Sequence, residues 1–393
     1  MLSHSTYLQK VKDLKKKVYD VSLVDLKSNE LLCLFYTISA NILTYLPQIE
    51  KSKHFNLVQH IQFHRALSTI DQYCRKKLEN TIIDDPAMTI KNSKNNAQVF
   101  VTYHTGSYRT FILLLSKEQV PFCLVTQEQF INEQGLATQQ LYKEFSNRDD
   151  EELEILPSEN PRLLFELMNR LKKGISVVFY IDGNTGVSSK SLNKNKNLLK
   201  IDFLNHHIYA RQGIALLVYL SKAPLVTAIA KRDENLENHI CIKHIETKKY
   251  LKDLSRTEFI NTITKLLYGE LECFLLKNFE QWEGWFYIHK FFDLNKNLMI
   301  KQKTNSPDHN QIFPTLVVSD QLHIFKYNQE NFFLVQTKDY KIMKITPSLF
   351  ELLEYFKIPI RMKKNELLDT GNQITDWPVI QELIDLNFLK QIA

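Results

Sequence analysis

Apolar residues recur at three- and four-residue spacing through residues 1–90, and this period predicts helices. The clearest stripe is Leu57, Ile61, His64, Leu67 and Ile70. The uncharged segment 31–49 carries too many polar side chains to span a bilayer. We interpret it as a buried helix, with at most peripheral membrane contact. Residues 1–90 are therefore expected to form a helical region that packs on a core.

From residue 97 the pattern changes to short β-type runs that alternate with helical ones. The predicted strands are 99–103, 121–125, 175–181, 225–230 and 240–245, and the predicted helices are 111–117, 162–172 and 212–221. The run 175–181 is apolar nearly throughout, as in a strand that is buried on both faces. This alternation predicts an α/β core, a mixed sheet with helical cover, over residues 91–295.

A polar segment, 296–312, is interpreted as a linker to a smaller C-terminal domain. The predicted strands beyond it are 322–325, 332–335 and 340–343, and the predicted helices are 348–356, 365–369 and 376–386. Strands followed by helices in so short a segment predict a winged-helix-like domain over residues 313–393.

The amino-acid composition excludes several classes of protein. Hydrophobic residues make up 44% and charged residues 24%, with 9 Gly and 11 Pro, which excludes collagen-like and disordered chains. The 50 Lys and Arg exceed the 44 Asp and Glu by 6, a mild excess that does not indicate nucleic acid. The 5 cysteines are odd in number and form no Cys-x-x-Cys. Together with the absence of an apolar signal core at the start, they predict a reduced, cytoplasmic protein without a structural metal.

One histidine stands where a strand gives way to a helix. His104 follows the run 99–103 and precedes Gly106 and Ser107. An imidazole at the carboxyl edge of a sheet, beside the amides of a helix start, suits a general base. We expect the amides of Gly106 and Ser107 to lie near a developing oxyanion.

A carboxylate is expected at the same edge. Asp182 follows the run 175–181, and Gly183 and Asn184 continue it as a turn that lines the site. Arg211, just before the predicted helix 212–221, is a further candidate for binding substrate or donor.

Three blocks, 101–109, 174–184 and 201–226, are followed by Gln281-Trp282 and His289 in the segment 279–290. In this order they resemble the lysophospholipid acyltransferase-like superfamily, and within it the branch of lipid A lauroyl and myristoyl acyltransferases. The segment 279–290 is similar to the closing glutamine-tryptophan and histidine signature of that branch. The resemblance covers roughly residues 55–292. It implies transfer of an acyl group from an acyl carrier protein or coenzyme A thioester to a hydroxyl or amine, without a bound cofactor.

The family's motif places Asp or Glu five positions after the histidine, where the acid orients the imidazole. His104 matches this motif, but the fifth position is Arg109, which cannot accept an imidazole N–H. Asp182 can supply the carboxylate instead, and Arg109 can bind a phosphate of the donor. Both an active enzyme and an inactive relative fit this pattern. The family's membrane-anchoring helix is also missing, which argues against a lipid A substrate.

The C-terminal region contains Phe325-Lys326, Phe333-Leu334-Val335, Tyr340-Lys341-Ile342, Thr346-Pro347 and the segment 383–389. These residues resemble the PqqD-like peptide-recognition domain, which implies a pathway that modifies ribosomally made peptides. Such domains capture a leader peptide as an added strand, which assigns Phe333, Val335 and Tyr340 to peptide binding. A winged helix that only packs on the core, or that binds DNA, is the alternative; the acidic side chains of the last predicted helix argue against DNA.

These observations favour a cytoplasmic acyltransferase-like protein of ribosomal-peptide maturation. His104, helped by Asp182, would deprotonate a peptide amine or hydroxyl while the C-terminal domain holds the leader peptide. Two alternatives stay open: a catalytically inactive scaffold that recruits peptide to a partner enzyme, and a peripheral glycerolipid acyltransferase.

Overall fold

A computed structural model describes residues 1–22, 29–146, 152–183, 198–292, 313–327, 331–337, 340–363, 367–369 and 374–392 of the chain. The chain divides into two compact units. The first comprises Met1–Leu26 and Ile49–Phe291, and the second comprises Lys27–Gln48 and Phe292–Ala393. The predicted linker 296–312 lies outside the described residues.

The helices of both units are numbered in chain order. They are α1 (His4–Tyr19), α2 (Asn29–Tyr45), α3 (His54–Asp71), α4 (Arg75–Glu79), α5 (Thr89–Asn92), α6 (Thr110–Lys117), α7 (Glu128–Ser146), α8 (Leu163–Lys172), α9 (Gly213–Ser221), α10 (Thr247–Asp253), α11 (Arg256–Asn278), α12 (His289–Phe292), α13 (Pro347–Tyr355) and α14 (Trp377–Asp385). Short 3₁₀ helices cover Lys51–Lys53, Phe279–Gln281 and Glu283–Phe286.

The strands are numbered in the same way. They are β1 (Ile82–Asp84), β2 (Val99–Thr102), β3 (Phe122–Thr126), β4 (Glu154–Pro157), β5 (Ser176–Tyr180), β6 (Leu198–Phe203), β7 (His206–Arg211), β8 (Leu225–Arg232), β9 (Asn238–Ile245), β10 (Thr315–Val318), β11 (Leu322–Lys326), β12 (Phe332–Gln336), β13 (Lys341–Ile345), β14 (Ile360–Arg361), β15 (Leu368–Asp369), β16 (Ile374–Thr375) and β17 (Leu389–Ile392).

The first unit is built on a sheet with the strand order β1-β9-β8-β2-β5-β3-β4 in the described part of the chain. Neighbouring strands are parallel except β8 and β9, which are antiparallel. Every residue of β2 is buried, as expected for a central strand that is covered on both faces. The α/β class with a mixed sheet and helical cover is therefore confirmed.

Helix α3 shows how the sequence period places a helix in this unit. Of its predicted stripe, Leu57, Ile61, His64 and Leu67 are buried. His60 and His64 have metal-pair spacing but separate partners: His60 bonds the hydroxyl of Tyr19 at 3.0 Å. The predicted stripe is therefore a packing face.

The second unit contains α2, which the sequence analysis had assigned to the N-terminal helical region. Tyr36 of α2 packs its ring 5.0 Å from Phe325 of β11 and 4.9 Å from Phe333 of β12. The aromatic residues of α2 and of the C-terminal strands share one cluster, which explains why residues 27–48 group with this unit.

The core of the second unit lies between short sheets and two helices. Strand β12 pairs with β11 on one side and with β13 on the other, and β10 pairs with β14 and β17. The fully buried side chains at its centre include Leu316, Leu334, Leu353, Phe356 and Ile380. The winged-helix assignment stays a prediction.

One predicted helix of this unit is wrong. Residues 365–369 were expected to be helical, but Leu368 and Asp369 form β15 and pair antiparallel with β16. The run is too short for a helical period to decide its conformation, and the pairing partner decides it instead.

None of the described helices combines the length and apolarity needed to cross a bilayer.

Candidate functional site

His104 lies in the turn that joins β2 to α6. The amide of Thr105 donates to the carbonyl of Tyr103 at 2.8 Å, which closes a three-residue turn around His104. The carbonyl of His104 accepts a 2.9 Å bond from the amide of Glu283. Both bonds fix the backbone that carries the imidazole.

Asp182 stands beside His104 because β2 and β5 are parallel neighbours. Thr102 is in register with Tyr180, and each candidate residue follows its strand by two positions. Nδ1 of His104 lies 2.8 Å from Oδ1 of Asp182. The carboxylate also accepts from the amide of His104 at 3.1 and 3.0 Å, and from Nε1 of Trp282 at 2.7 Å. The structure thus brings the two predicted catalytic residues together and anchors the carboxylate on every side.

The hydrogen-bond network assigns the protonation of the imidazole. A carboxylate that accepts from Nδ1 leaves the lone pair on Nε2. The His104 side chain is 18% exposed, and Nε2 has no hydrogen-bond partner among the described residues. Burial lowers the pKa of His104, but the charges of Asp182 and Glu283 outweigh burial and the charge of Arg109, so this pKa is raised above the ordinary histidine value. His104 is therefore a stronger base than an ordinary histidine, and its side chain is partly exposed.

Two tyrosines that were not predicted from the sequence flank the imidazole of His104. The ring of Tyr108 meets that of His104 edge-on at 4.7 Å, and Tyr180 lies at 5.0 Å. The hydroxyl of Tyr108 donates to Glu283 at 2.9 Å, and Glu283 also accepts from Nε of Arg65 at 3.3 Å. One sequence signal was available: Tyr108 lies four positions after His104 in the block 101–109, and Glu283 directly follows Gln281-Trp282.

The structure requires glycine at position 106 for a steric reason, which differs from the role predicted from the sequence. Its φ is +51°, and an added Cβ would lie 2.6 Å from Cα of Lys231 and 2.7 Å from the carbonyl oxygen of Ala230. Its amide donates to the carbonyl of Gln281 at 2.8 Å. The Gly106 amide is therefore occupied and not free to stabilise an oxyanion, which corrects that part of the prediction.

Ser107 belongs to a buried polar cluster beneath the site. Its hydroxyl donates to Oδ2 of Asp71 at 2.9 Å. Asp71 also accepts from Arg232 at 2.7 Å and from the hydroxyl of Tyr7 at 2.8 Å. Arg232 in turn contacts Nδ1 of His64 at 3.2 Å. Because the Ser107 hydroxyl is hydrogen-bonded to Asp71, only the backbone amide of Ser107 is left for the predicted role beside an oxyanion.

Arg109 does not replace the acid of the family pattern. Its guanidinium stacks on Tyr108 at 5.0 Å and donates through Nη1 to Gln134 at 3.3 Å. Its Nε is buried without a hydrogen-bond partner in the described part of the chain. The carboxylate that orients His104 thus comes from Asp182.

Two of the remaining candidates, Gly183 and Arg211, are among the described residues. A Cβ on Gly183 would lie 3.7 Å from Cε1 of His104, so this glycine packs against the imidazole. Arg211 is the last residue of β7. Burial and the charge of Asp182 raise the pKa of Tyr268, whereas the positive charge of Arg211 lowers it. Asn184 lies outside the described residues.

The predicted peptide-binding residues are not on a free edge of a sheet. Phe333 and Val335 belong to β12, whose two neighbours already pair with it, and Val335 is fully buried. Tyr340 precedes β13, and its hydroxyl donates to Asn41 at 2.6 Å. Strand addition needs unpaired backbone groups, so an added strand cannot pair with β12 itself. The assignment of Phe333, Val335 and Tyr340 to peptide binding stays a prediction.

No protein-family model matches the chain, and no curated protein matches it significantly. One similar solved structure is the crystal structure of the 1-acyl-sn-glycerophosphate (LPA) acyltransferase PlsC from Thermotoga maritima, at 13% identity, covering 62% of this chain and 95% of that chain, with a TM-score of 0.28. A likeness at this TM-score establishes neither a shared fold nor a shared activity.

Proposed function

We propose that the protein is an acyltransferase in which His104 is the general base and Asp182 orients it. One observation carries the proposal: the 2.8 Å pair between Nδ1 and Oδ1, at the carboxyl edge of the sheet, with Nε2 left unbonded by the described residues. This is the geometry of a positioned base in acyl transfer.

The proposed step moves one proton twice. Nε2 of His104 takes the proton of an acceptor N–H or O–H while the acceptor attacks the carbonyl carbon of a thioester. Asp182 stabilises the imidazolium that forms. The tetrahedral intermediate then collapses, the carbon–sulfur bond breaks, and the imidazolium returns its proton to the leaving thiolate. No oxidant or metal takes part in this step.

Arg109 is proposed to hold the thioester donor. Its guanidinium is fixed over Tyr108, and the bond to Gln134 uses Nη1. A guanidinium can bind a phosphate in a bidentate way, and the phosphates of coenzyme A or of the carrier's pantetheine arm supply such a group. Arg109→Gln should therefore raise KM for the donor more than it lowers kcat.

We further propose a peptide as acceptor, in a maturation pathway for ribosomal peptides in the cytoplasm. The support is the PqqD-like sequence pattern of the second unit. Because β12 is paired on both sides, an added strand would have to use β11 or β13. Titrating the full chain with a fluorescent leader peptide tests this, and a scrambled peptide that binds equally well would contradict it.

One observation favours a non-catalytic scaffold as the second candidate. The Gly106 amide, expected as an oxyanion donor, is bonded to Gln281. A scaffold would keep the packed edge of the sheet and would recruit peptide to a partner enzyme.

The deciding experiment measures acyl transfer by mass spectrometry. The full chain is incubated with an acyl carrier thioester and a candidate peptide, and the acyl mass shift is followed with time. His104→Ala should abolish the shift. The matched control is His239→Ala, which removes another His–Asp pair, bonded at 3.2 Å to Asp233. His239 lies on β9, which pairs with β1 and β8.

Loss in His104→Ala with retention in His239→Ala supports the enzyme. Equal transfer in wild type and His104→Ala contradicts the proposed base. Peptide binding without any transfer favours the scaffold.

A further inference from the structure

Glu283 is a second carboxylate close to the proposed base, and the proposed step does not use it. Its side chain is only 15% exposed. Its amide donates to the carbonyl of His104 at 2.9 Å, so the backbone of one residue is fixed to that of the other. A carboxylate that is largely removed from water is costly unless it is paired or hydrogen-bonded. The partners of Glu283 therefore indicate what this carboxylate does.

One partner of Glu283 is Tyr108, which also contacts the imidazole. The hydroxyl of this buried tyrosine donates to Oε2 of Glu283 at 2.9 Å. The ring of Tyr108 lies 4.7 Å from that of His104, and Tyr180 contacts both rings, at 5.0 and 5.6 Å. Because the phenol is anchored through its hydroxyl, its ring is held against the imidazole. Glu283 thereby limits the rotation of the ring whose Nδ1 must face Asp182.

The charges around His104 give Glu283 a second effect. Arg109 stacks on Tyr108 at 5.0 Å, which brings a positive charge to the site. A positive charge disfavours the imidazolium that the proposed step forms. Glu283 opposes this effect, since its charge raises the pKa of His104 whereas that of Arg109 lowers it. Arg65 lies 3.3 Å from Glu283, but its side chain is 51% exposed, so water screens this ion pair.

We propose that Glu283 is a positioning residue for His104: through Tyr108 it holds the imidazole in place, and its charge offsets that of Arg109. The inference rests on the proposed function, since it concerns the same base. Asp182 bonds the imidazole directly, whereas Glu283 contacts no reacting atom and acts through these neighbours.

Titration of the His104 imidazole by NMR, on the full chain, tests the proposal without an activity assay. Glu283→Gln keeps the shape and can still accept from Tyr108, but it carries no charge. Its titration midpoint should fall by about half a pH unit or more, because a nearby carboxylate favours the charged imidazole. In Glu283→Gln/Arg109→Gln both opposing charges are lost, and the midpoint should move back toward wild type. Glu283→Asp, which keeps the charge, should titrate closer to wild type than Glu283→Gln.

A kinetic measurement tests the positioning through the tyrosine. Tyr108→Phe keeps the ring and both charges but loses the hydrogen bond to Glu283. It should lower kcat for acyl transfer about fivefold, the effect of one lost hydrogen bond, with KM for the donor unchanged. The matched control is Glu154→Gln, which removes the ion-pair partner of Arg170 on β4 and should leave both the His104 midpoint and kcat unchanged.

Three results would overturn the proposal: an unmoved midpoint in Glu283→Gln, an equal shift in Glu154→Gln, or an unchanged kcat in Tyr108→Phe. If the midpoint shifts as expected but wild type transfers no acyl group, the proposed function fails while the coupling between Glu283 and His104 stands.

Discussion

Nε1 of Trp282 donates a 2.7 Å hydrogen bond to Oδ2 of Asp182, while Oδ1 of the same carboxylate accepts from His104 at 2.8 Å. The indole and the imidazole thus bind different oxygens of one carboxylate. Trp282 orients Asp182, and Asp182 orients His104.

Asp182→Asn should lower kcat/KM about 10²-fold or more, because the amide no longer stabilises the imidazolium. The proposed general base is the neutral form of His104, so the proposed activity is expected to fall as the pH falls through the raised pKa of His104. Without the charge of Asp182, burial dominates and lowers the pKa of His104. The acid limb of the pH–rate profile should therefore move to lower pH. An unmoved limb would show that Asp182 does not set the pKa.

Gly106→Ala should destabilise the first unit strongly, because the new Cβ meets the backbone of β8 at 2.6 Å. We expect a loss of about 3 kcal/mol or more in the free energy of unfolding. Gly174→Ala is the control: its φ is also positive, at +81°, but nothing lies within 4 Å. That variant should lose only about 1 kcal/mol. Urea unfolding measures both, and equal losses would contradict the steric argument.

Asp71→Asn should cost about 3–5 kcal/mol, since it leaves the guanidinium of Arg232 buried without its counter-charge. Tyr7→Phe removes one hydrogen bond to the same carboxylate and should cost about 1 kcal/mol. Thermal unfolding of both variants gives the comparison. A loss in Asp71→Asn as small as that in Tyr7→Phe would mean that the pair contributes little.

His64 should make the protein sensitive to acid. Burial and the nearby charges of Arg232 and His60 lower its pKa to about 3. Between that value and the ordinary histidine value the unfolded chain binds the extra proton, so stability falls as the pH falls. The expected slope is about 1.4 kcal/mol per pH unit for one histidine. His64→Gln, which stays neutral, should flatten the slope between pH 6 and pH 4 in urea unfolding, while the exposed His4→Gln should not.

Much of the central sheet could be predicted from the sequence because its strands are short, apolar and separated by amphipathic helices. The runs that became β2 and β8 are buried almost throughout, and three of the five residues of β5 are buried, so their apolar composition marks these strands. Helices α7 and α11 were missed, since their polar faces dilute the apolar period. The strand pairing of β15 was missed because its partner, not its own sequence, decides its conformation.

The candidate site could also be predicted in part from the sequence. The approach of His104 and Asp182 follows from two parallel strands ending at one edge. The bond from the Gly106 amide to Gln281 could not be foreseen, because nothing in either local sequence indicates that the two segments meet. The local sequence around Arg109 likewise does not indicate that its guanidinium stacks on Tyr108.

The carboxylate of Asp182 is held by residues 78 and 100 positions away along the chain. A nascent or truncated polypeptide that lacks the segment around Trp282 would carry the histidine without its full alignment. The proposed acyl transfer is therefore expected only after the segment around Trp282 has been synthesised and folded, so that an unfinished chain would not consume the proposed donor.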